Sequence, residues 1–310
     1  MSAKKKFFDS FATAFPSTLR SAVWLLRLMI PISLVVTLLQ YYGILDRIAG
    51  YLQPLFCHIG LPGASAVVFI SGAAAGTYAG IAAMMAIPLT FKQATILSLM
   101  IALCHNLPVE CAVNRSTGSS FRRMAILRLV AAFICAFLFN IILPDSADPF
   151  IYLGVEQNAS FSQMILAWII SQLKMSALVF LIIYVLMVIQ RMIEAFSLLQ
   201  PISRFFSPIM RLFGLPDHAA YMWLVGNVIG LGYGSAVMLE LEEKGLVTPQ
   251  EANDVNYHLI MNHSLLEDTI VFAAIGISAP ILVATRVGAA LVVVWTRRAY
   301  KALKKSAPTF

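Results

Sequence analysis

The stretch Gly60-Leu61-Pro62 decides how this chain is organised, because it occurs a second time, 154 residues later, as Gly214-Leu215-Pro216. At the same spacing, Pro54, Gly72, Gly76 and Gly80 recur as Pro208, Gly226, Gly230 and Gly234. Further on, His105-Asn106-Leu107-Pro108-Val109-Glu110 is echoed, 158 residues later, by His263-Ser264-Leu265-Leu266-Glu267-Asp268. We therefore predict two repeats, residues 1–150 and residues 151–310.

The composition places both repeats in a membrane. Hydrophobic residues make up 60% of the 310 residues and charged residues 12%, and the mean hydropathy is +0.83. Several apolar stretches approach or exceed the roughly 20 residues that a transmembrane helix needs. We predict an all-α, polytopic integral membrane protein. A nucleic-acid partner is not expected, because the basic residues behind the net charge of +7 flank the predicted spans.

Both repeats contain the same series of segments. Each begins with a long span and continues with an amphipathic interfacial helix that a proline interrupts. A span rich in small residues follows, then a segment with a polar interruption, then a last span. In the first repeat the spans cover about residues 21–42, 63–88 and 124–143, and in the second about 161–188, 218–239 and 275–295. Small residues allow helix backbones to approach each other closely in a membrane.

The distribution of loop charges predicts the topology. If the His105 segment were a complete span, Arg115, Arg122 and Arg123 would lie outside the cell and the acidic loop at 145–156 inside. That arrangement contradicts the preference of basic loops for the cytoplasm. With the His105 and His263 segments as re-entrant hairpins, each repeat crosses the membrane three times net, so the second repeat is inverted. Both termini then lie in the cytoplasm, and the protein is a multi-pass protein of the inner (cytoplasmic) membrane.

The best candidates for a functional site are polar residues at the two hairpin tips. They are His105, Asn106 and Glu110 in the first repeat and His263, Glu267 and Asp268 in the second. Ionisable residues inside a membrane are costly, so each is a functional hypothesis. Imidazole and carboxylate groups relay protons or bind divalent cations. The alternative is that these side chains cap the hairpin helices and pair with each other.

The geometry of these candidates depends on where the helices break. On a continuous helix His263 and Glu267, four residues apart, would share one face. His105 and Glu110 are five residues apart and would converge only if the helix were broken between them. If a metal ion binds, the expected ligands are these four residues.

Four further residues are candidates for contact with a solute or ion. Lys174 lies near the middle of a predicted span, where we expect an ion pair with Glu110, Glu267 or Asp268. Tyr78, Tyr233 and Asn227 lie in the small-residue spans. A tyrosine beside glycines can stack on the ring of a solute, or it can simply pack against neighbouring helices.

These motifs resemble the nucleoside-recognition ("Gate") family of integral membrane proteins. The likeness rests on Gly60-Leu61-Pro62, the glycines around Thr77-Tyr78, the His105–Glu110 motif and their second-half echoes. It extends from about Ser21 to Trp295. The family includes the spore-maturation membrane proteins and the membrane half of ferrous iron transporter B, and it is related to concentrative nucleoside transporters. The resemblance implies a membrane protein that handles a small solute, although members of the family differ in cargo.

Together, the resemblance and the membrane pattern predict a secondary transporter. Its expected solute is nucleoside-like, with its site between the two hairpin tips and coupling to protons or cations. A divalent metal-ion transporter and a non-transporting membrane assembly module are the alternatives. The chain has no nucleophile elbow, HExxH motif or phosphate-binding loop, so we expect neither enzyme activity nor a cofactor. The expected partners are the lipid bilayer, the solute or ion, and a further copy or a membrane subunit.

Overall fold

The computed structural model describes residues 2–152 and 160–306 of the chain, so Glu156 of the predicted acidic loop lies outside the described residues. The described residues form α-helices and short 3-10 turns and contain no β-strand, only an isolated bridge between Thr90 and Pro149. In chain order the helices are α1 (Ala3–Tyr41), α2 (Ile44–Phe56), α3 (Ser65–Ala75), α4 (Thr77–Met84), α5 (Phe91–Cys104), α6 (Leu107–Ser116), α7 (Phe121–Ile142), α8 (Phe161–Ala195), α9 (Leu199–Leu212), α10 (Ala220–Val228), α11 (Leu231–Glu243), α12 (Pro249–Asn262), α13 (Leu265–Ala274) and α14 (Ala279–Ser306).

The helix lengths confirm an all-α polytopic membrane protein. Within the described residues, five helical stretches are long and apolar enough to cross a membrane. They are Ala3–Tyr41, Phe91–Ser116, Phe121–Ile142, Phe161–Ala195 and Ala279–Leu303. The second of these contains the boundary between α5 and α6. The inverted arrangement of the repeats and their three net crossings stay predictions. The re-entrant course of the His105 and His263 segments is wrong, because it would put the start of each segment and the end of the next span on opposite sides of the membrane. Instead, Lys92 pairs with Asp145 at 2.7 Å, and Asp254 pairs with Lys301 at 2.9 Å.

The sequence predicted that each small-residue span is one continuous helix. In the structure each span is divided into two helices. Gly76 separates α3 from α4 with a φ of 101°, and Gly230 separates α10 from α11 with a φ of 113°. Only glycine adopts such a backbone conformation without a steric penalty, so each helix must end there. The predicted spans at 63–88 and 218–239 are therefore wrong as single helices, and each is a pair of short helices.

Close contacts between glycines hold each pair of short helices together. A Cβ atom added to Gly80 would lie 3.0 Å from the Cα atom of Gly72, and one added to Gly234 would lie 3.0 Å from the Cα atom of Gly226. A longer side chain covers each glycine contact, Ile101 from α5 in one repeat and Leu259 from α12 in the other. The small residues therefore allow close helix approach, as predicted.

The polar motifs produce a second pair of helix breaks. Asn106 ends the α5 segment with a φ of 45°, and Ser264 ends the α12 segment with a φ of 52°. Both are left-handed conformations, which are uncommon outside glycine. The backbone N–H of Asn106 donates to the carbonyl of Gly72 at 3.0 Å, and that of Ser264 donates to the carbonyl of Gly226 at 3.3 Å. Each tip is thus tied to the helix pair of its own repeat.

The chain forms two compact units that interleave along the sequence. The first contains Met1–Leu107, Leu129–Arg191 and Ile270–Ala279, and the second contains Pro108–Arg128, Met192–Thr269 and Pro280–Phe310. The division into repeats at residue 150 is a matter of sequence similarity and stays a prediction.

Each unit has its own internal contacts. In the first unit, Ser33 of α1 accepts hydrogen bonds from Trp168 and Gln172 of α8, at 3.3 and 2.9 Å. The second unit is built around Trp223, whose ring lies 5.3 Å from that of Phe206. The apolar residues of α9, α10 and α12 surround that tryptophan and form a buried core.

Candidate functional site

Two buried ion pairs mark the candidate site in the second unit. Arg128 of α7 donates to the Glu110 carboxylate at 2.5 Å, and Arg286 of α14 donates to the Asp268 carboxylate at 2.8 Å. In each pair the arginine follows its carboxylate by 18 residues. The arginines are 0% and 1% exposed, so their charges are balanced inside the protein rather than by water.

His263 connects the two ion pairs. Its Nδ1 atom lies 2.9 Å from the carbonyl oxygen of Leu259, and its Nε2 atom lies 3.0 Å from the Glu110 carboxylate. A carbonyl oxygen only accepts hydrogen bonds, so Nδ1 carries a hydrogen and the neutral ring would present a lone pair at Nε2. The contact with Glu110 is then a hydrogen bond only when the pair shares one additional proton, on Nε2 or on the carboxyl group.

Arg286 fixes the end of α12 as well as the charge of Asp268. Its Nη2 atom donates to the carbonyl oxygen of His263 at 2.5 Å, and its Nε atom donates to that of Met261 at 3.3 Å. The last carbonyl groups of a helix have no partner within the helix, so the guanidinium satisfies groups that would otherwise be unpaired. The tip carrying His263 is therefore held in place by a charged side chain.

A layer of polar side chains lies next to this tip, between α10 and α12. Trp223 donates from Nε1 to Nδ1 of His258 at 2.9 Å, and Oδ1 of Asn262 lies 3.2 Å from the same nitrogen. An indole N–H is only a donor, so Nδ1 of His258 is the acceptor and its hydrogen lies on Nε2. The Phe213 ring lies 4.6 Å from the imidazole and covers it.

Two atoms of this layer have no hydrogen-bond partner among the described residues. They are Nε2 of His258 and Oδ1 of Asn227. Both side chains are buried, and Asn227 is anchored by its Nδ2 atom, which donates to the carbonyl of Trp223. Buried polar atoms are nearly always paired in folded proteins, so these atoms identify a place for water or for a polar solute.

The first unit contains the other tip. His105 is 6% exposed, and its Nδ1 atom lies 3.1 Å from the carbonyl oxygen of Ile101, as in the second repeat. Asn106 contributes its strained backbone conformation and its backbone hydrogen bond to Gly72. Tyr78 is buried in α4. A site shared by His105 and His263 stays a prediction.

Other predicted site residues lie elsewhere. His263 follows the last residue of α12 and Glu267 lies in α13, so the two do not share one continuous helix. Glu267 is exposed, whereas its neighbour Asp268 is buried. Tyr233 is 59% exposed on α11.

The expected ion pair of Lys174 is wrong. Its side chain is exposed on α8, beside Leu173, and forms no ion pair with the described residues. The next residue, Met175, lies on the buried face of α8. Arginines, rather than this lysine, balance the carboxylates Glu110 and Asp268.

The sequence interpretation missed Arg128 and Arg286. Both lie within or beside apolar spans that were treated as uniform. A signal was present, because the two arginines are separated by the same 158 residues as Glu110 and Asp268.

These observations define the class of the protein: a polytopic α-helical membrane protein with glycine-broken helix pairs and buried ion pairs. Residues 22–121 match the Gate family model, described as nucleoside recognition. The chain is also similar to the uncharacterized membrane protein YvoD of Bacillus subtilis (strain 168), with 28% identity over 310 residues, 98% of each chain. No solved structure matches. Part of the chain thus matches the Gate family model, and this match supports a role related to membrane transport.

Proposed function

We propose that the chain is a proton-coupled secondary transporter of a small, neutral, polar solute of the nucleoside type. We place it in the cytoplasmic membrane with both termini in the cytoplasm, as the loop charges indicate. The observation that carries the proposal is the buried contact between His263 and Glu110, which needs one proton to be a hydrogen bond.

The ion pairs give this proton a mechanical consequence. Glu110 accepts from Arg128 through the same Oε2 atom that faces His263. Loss of the shared proton would place the Nε2 lone pair against a carboxylate and repel the two groups. The His263 tip, which Arg286 holds by its backbone carbonyls, would then favour a different position. Protonation can therefore bias the tip between two arrangements, as coupling requires.

The polar layer supports the choice of solute. His258 offers a donor at Nε2 and Asn227 an acceptor at Oδ1, each without a partner among the described residues. A nucleobase carries donors and acceptors along one edge and would satisfy both. The family description, nucleoside recognition, agrees with this chemistry.

The same charges argue against a divalent cation as the cargo. Each buried carboxylate already has a guanidinium partner, and Arg128 and Arg286 are almost fully buried. A second cation in this low-dielectric region would be repelled by both arginines. We therefore favour a neutral solute over the metal-ion alternative.

Uptake into proteoliposomes tests the proposal. Radiolabelled uridine and adenosine should accumulate when the outside is made acidic, and collapse of the gradient should abolish accumulation. His263→Gln should lose the stimulation by the gradient. His218→Gln is the matched control, because His218 also lies 3.0 Å from a carboxylate, Glu251, but is half exposed.

Two outcomes would contradict the proposal. Equal gradient-driven uptake by the wild type and by His263→Gln would remove the assigned coupling residue. Uptake of Mn²⁺ without uptake of either nucleoside would favour the metal-ion alternative. Absence of any flux from a folded protein would favour the assembly module.

A further inference from the structure

A large cleft opens in the second unit, away from the ion pairs of the candidate site. Its volume is about 1020 Å³, and residues of four segments line it. These are the end of α9, the Gly214-Leu215-Pro216 turn, the start of α12 and the basic end of α14. The residues used below are Arg211, Asp254, Trp295, Arg298 and Lys301.

Most charges in this cleft are already balanced. Arg211 pairs with Asp217 at 2.6 Å, and Lys301 pairs with Asp254 at 2.9 Å. Arg297 also pairs with Asp254. Arg298 is different, because it forms no ion pair with any residue in the described part of the chain.

The position of Arg298 is nevertheless fixed. Its Nη1 atom donates to the carbonyl oxygen of Gly214 at 2.6 Å, and its guanidinium carbon lies 5.2 Å from the centre of the Trp295 ring. A Cβ atom added to Gly214 would lie 3.3 Å from Cδ of Arg298, so the glycine allows the arginine to pack closely. The remaining N–H groups form a planar donor set suited to a phosphate.

Neighbouring residues place the cleft at the level of the lipid headgroups. Trp295 is 47% exposed, and its Nε1 atom donates to the carbonyl of Leu212. On α9, Phe205 is 69% exposed and Leu212 is 64% exposed, although the same helix carries Arg204 and Arg211. Exposed aromatic and apolar residues beside arginines are typical of a helix at the membrane interface.

We propose that this cleft binds the phosphate group of an anionic phospholipid. Arg298 supplies the uncompensated charge and the paired donors, and Trp295 packs against the glycerol region. Lys301 adds positive charge, because it shares the single carboxylate of Asp254 with Arg297. Basic pockets beside transmembrane helices bind anionic headgroups by this chemistry. The proposal does not depend on whether the protein transports a solute.

The first repeat shows what the cleft would lack without these residues. The residues at the equivalent positions, 158 residues earlier, are Asn140 for Arg298, Phe137 for Trp295 and Leu143 for Lys301. Asn140 lies against Gly60 as Arg298 lies against Gly214. The same packing therefore occurs with a neutral side chain, which makes Arg298→Asn a substitution that the fold already accommodates once.

Thermal unfolding of the purified full-length chain in neutral detergent tests the site. Phosphatidylglycerol should raise the melting temperature, whereas phosphatidylcholine at the same mole fraction should not. Arg298→Asn, compared with its own lipid-free baseline, should bind phosphatidylglycerol about tenfold more weakly, the expected loss for a charge-assisted hydrogen bond. Arg204→Asn removes an exposed arginine of α9 that does not line the cleft and should behave as the wild type.

Further measurements distinguish a lipid headgroup from free phosphate as the ligand. Protection by inorganic phosphate alone, equal to that by phosphatidylglycerol, would overturn the lipid assignment. Equal effects of the two lipids, or unchanged binding in Arg298→Asn, would overturn the site. If Arg298→Asn does not fold, Lys301→Gln should still weaken binding, and unchanged binding in that variant would also count against the proposal.

Discussion

The two three-helix segments α3–α5 and α10–α12, called the first and second hairpin below, share a backbone but differ in their side chains. Both break at a glycine with positive φ, both end in a left-handed polar residue, and both make the same hydrogen bond from that residue back to a glycine carbonyl. At equivalent positions the first hairpin has Phe69, Ala73, Met100 and Cys104, and the second has Trp223, Asn227, His258 and Asn262. The shared architecture is thus independent of the polar layer, which only the second hairpin contains.

The ion pairs differ in a similar way. Glu110–Arg128 and Asp268–Arg286 have the same spacing and burial. However, Glu110 also faces His263, whereas Arg286 also binds two backbone carbonyls. One pair therefore contacts an imidazole, and the other contacts the backbone of the tip.

The largest expected effect comes from removing one arginine of these pairs. Arg128→Met and Arg286→Met each leave a carboxylate buried without its partner, which typically costs about 3–5 kcal/mol. We expect the greater loss for Arg286→Met, because it also releases the carbonyls of Met261 and His263. Unfolding in detergent, followed by circular dichroism, measures both. The double variant Asp268→Leu/Arg286→Met should recover part of the loss, and single variants as stable as the wild type would contradict this assignment.

A smaller effect is expected at the glycine contacts. Gly80→Ala and Gly234→Ala both place a methyl group 3.0 Å from a glycine Cα atom of the paired helix. Overpacking of this kind costs about 1–3 kcal/mol, and the loss should be similar in the two hairpins. Gly232→Ala is the control, because nothing lies within 4 Å of its added methyl group. A marked difference between the two hairpins would show that their backbones are less alike than their contacts indicate.

In the polar layer, side chains of the second hairpin can be replaced by those at the equivalent positions of the first. Trp223→Phe leaves Nδ1 of His258 without its donor and should cost about 1–2 kcal/mol. Trp223→Phe/His258→Met converts this pair to the one in the first hairpin and should restore most of the stability. A double-mutant cycle measures the coupling. If the proposed function is correct, the double variant should be stable yet inactive in nucleoside uptake, and retained uptake would exclude His258 from the site.

The smallest expected effect is a pH dependence that only one hairpin has. Capping boxes begin both α5 and α12, with Thr90 and Gln93 in the first and Thr248 and Glu251 in the second. Hydrogen bonds from Thr248, its backbone N–H first, lower the pKa of Glu251. The associated stabilisation is complete above the pKa that this glutamate has in the unfolded chain, about 4.3. It is lost as the pH falls through the lower pKa that Glu251 has in the folded protein.

Melting temperatures at two pH values measure this difference. Glu251→Gln should be slightly less stable than the wild type at neutral pH, and the gap should close in acid. Gln93→Glu should introduce the same pH dependence into α5. A gap that persists at about pH 3, well below the ordinary pKa of a glutamate, would rule out this origin.

Features that depend on local sequence were predictable. The polar motifs at His105 and His263 predicted helix breaks, and the glycine spacings predicted close helix contacts. The break at Gly76 was not anticipated, because hydropathy remains high across a glycine and gives no indication of its φ. Length and composition identify a span, but a single backbone torsion can divide it.

The partners of the buried charges were harder to predict, because they depend on which side of a helix faces the protein. Lys174 and Arg128 both occur in apolar surroundings, yet only the arginine points inward. Charge counting cannot distinguish these orientations. The two arginines are 158 residues apart, as are the two carboxylates, and this spacing would have indicated that both arginines face the protein. Equivalent positions of an internal repeat occupy similar environments.

The balance of the buried ion pairs has a consequence for how the protein responds to voltage. Two guanidinium groups and two carboxylates sum to zero, so this group of side chains can shift within the bilayer without electrical work. A proton on His263 makes the sum +1, and moving that charge through 100 mV is worth about 2.3 kcal/mol. If the proposed proton coupling is correct, the membrane potential would therefore act on this group of side chains only in its protonated form.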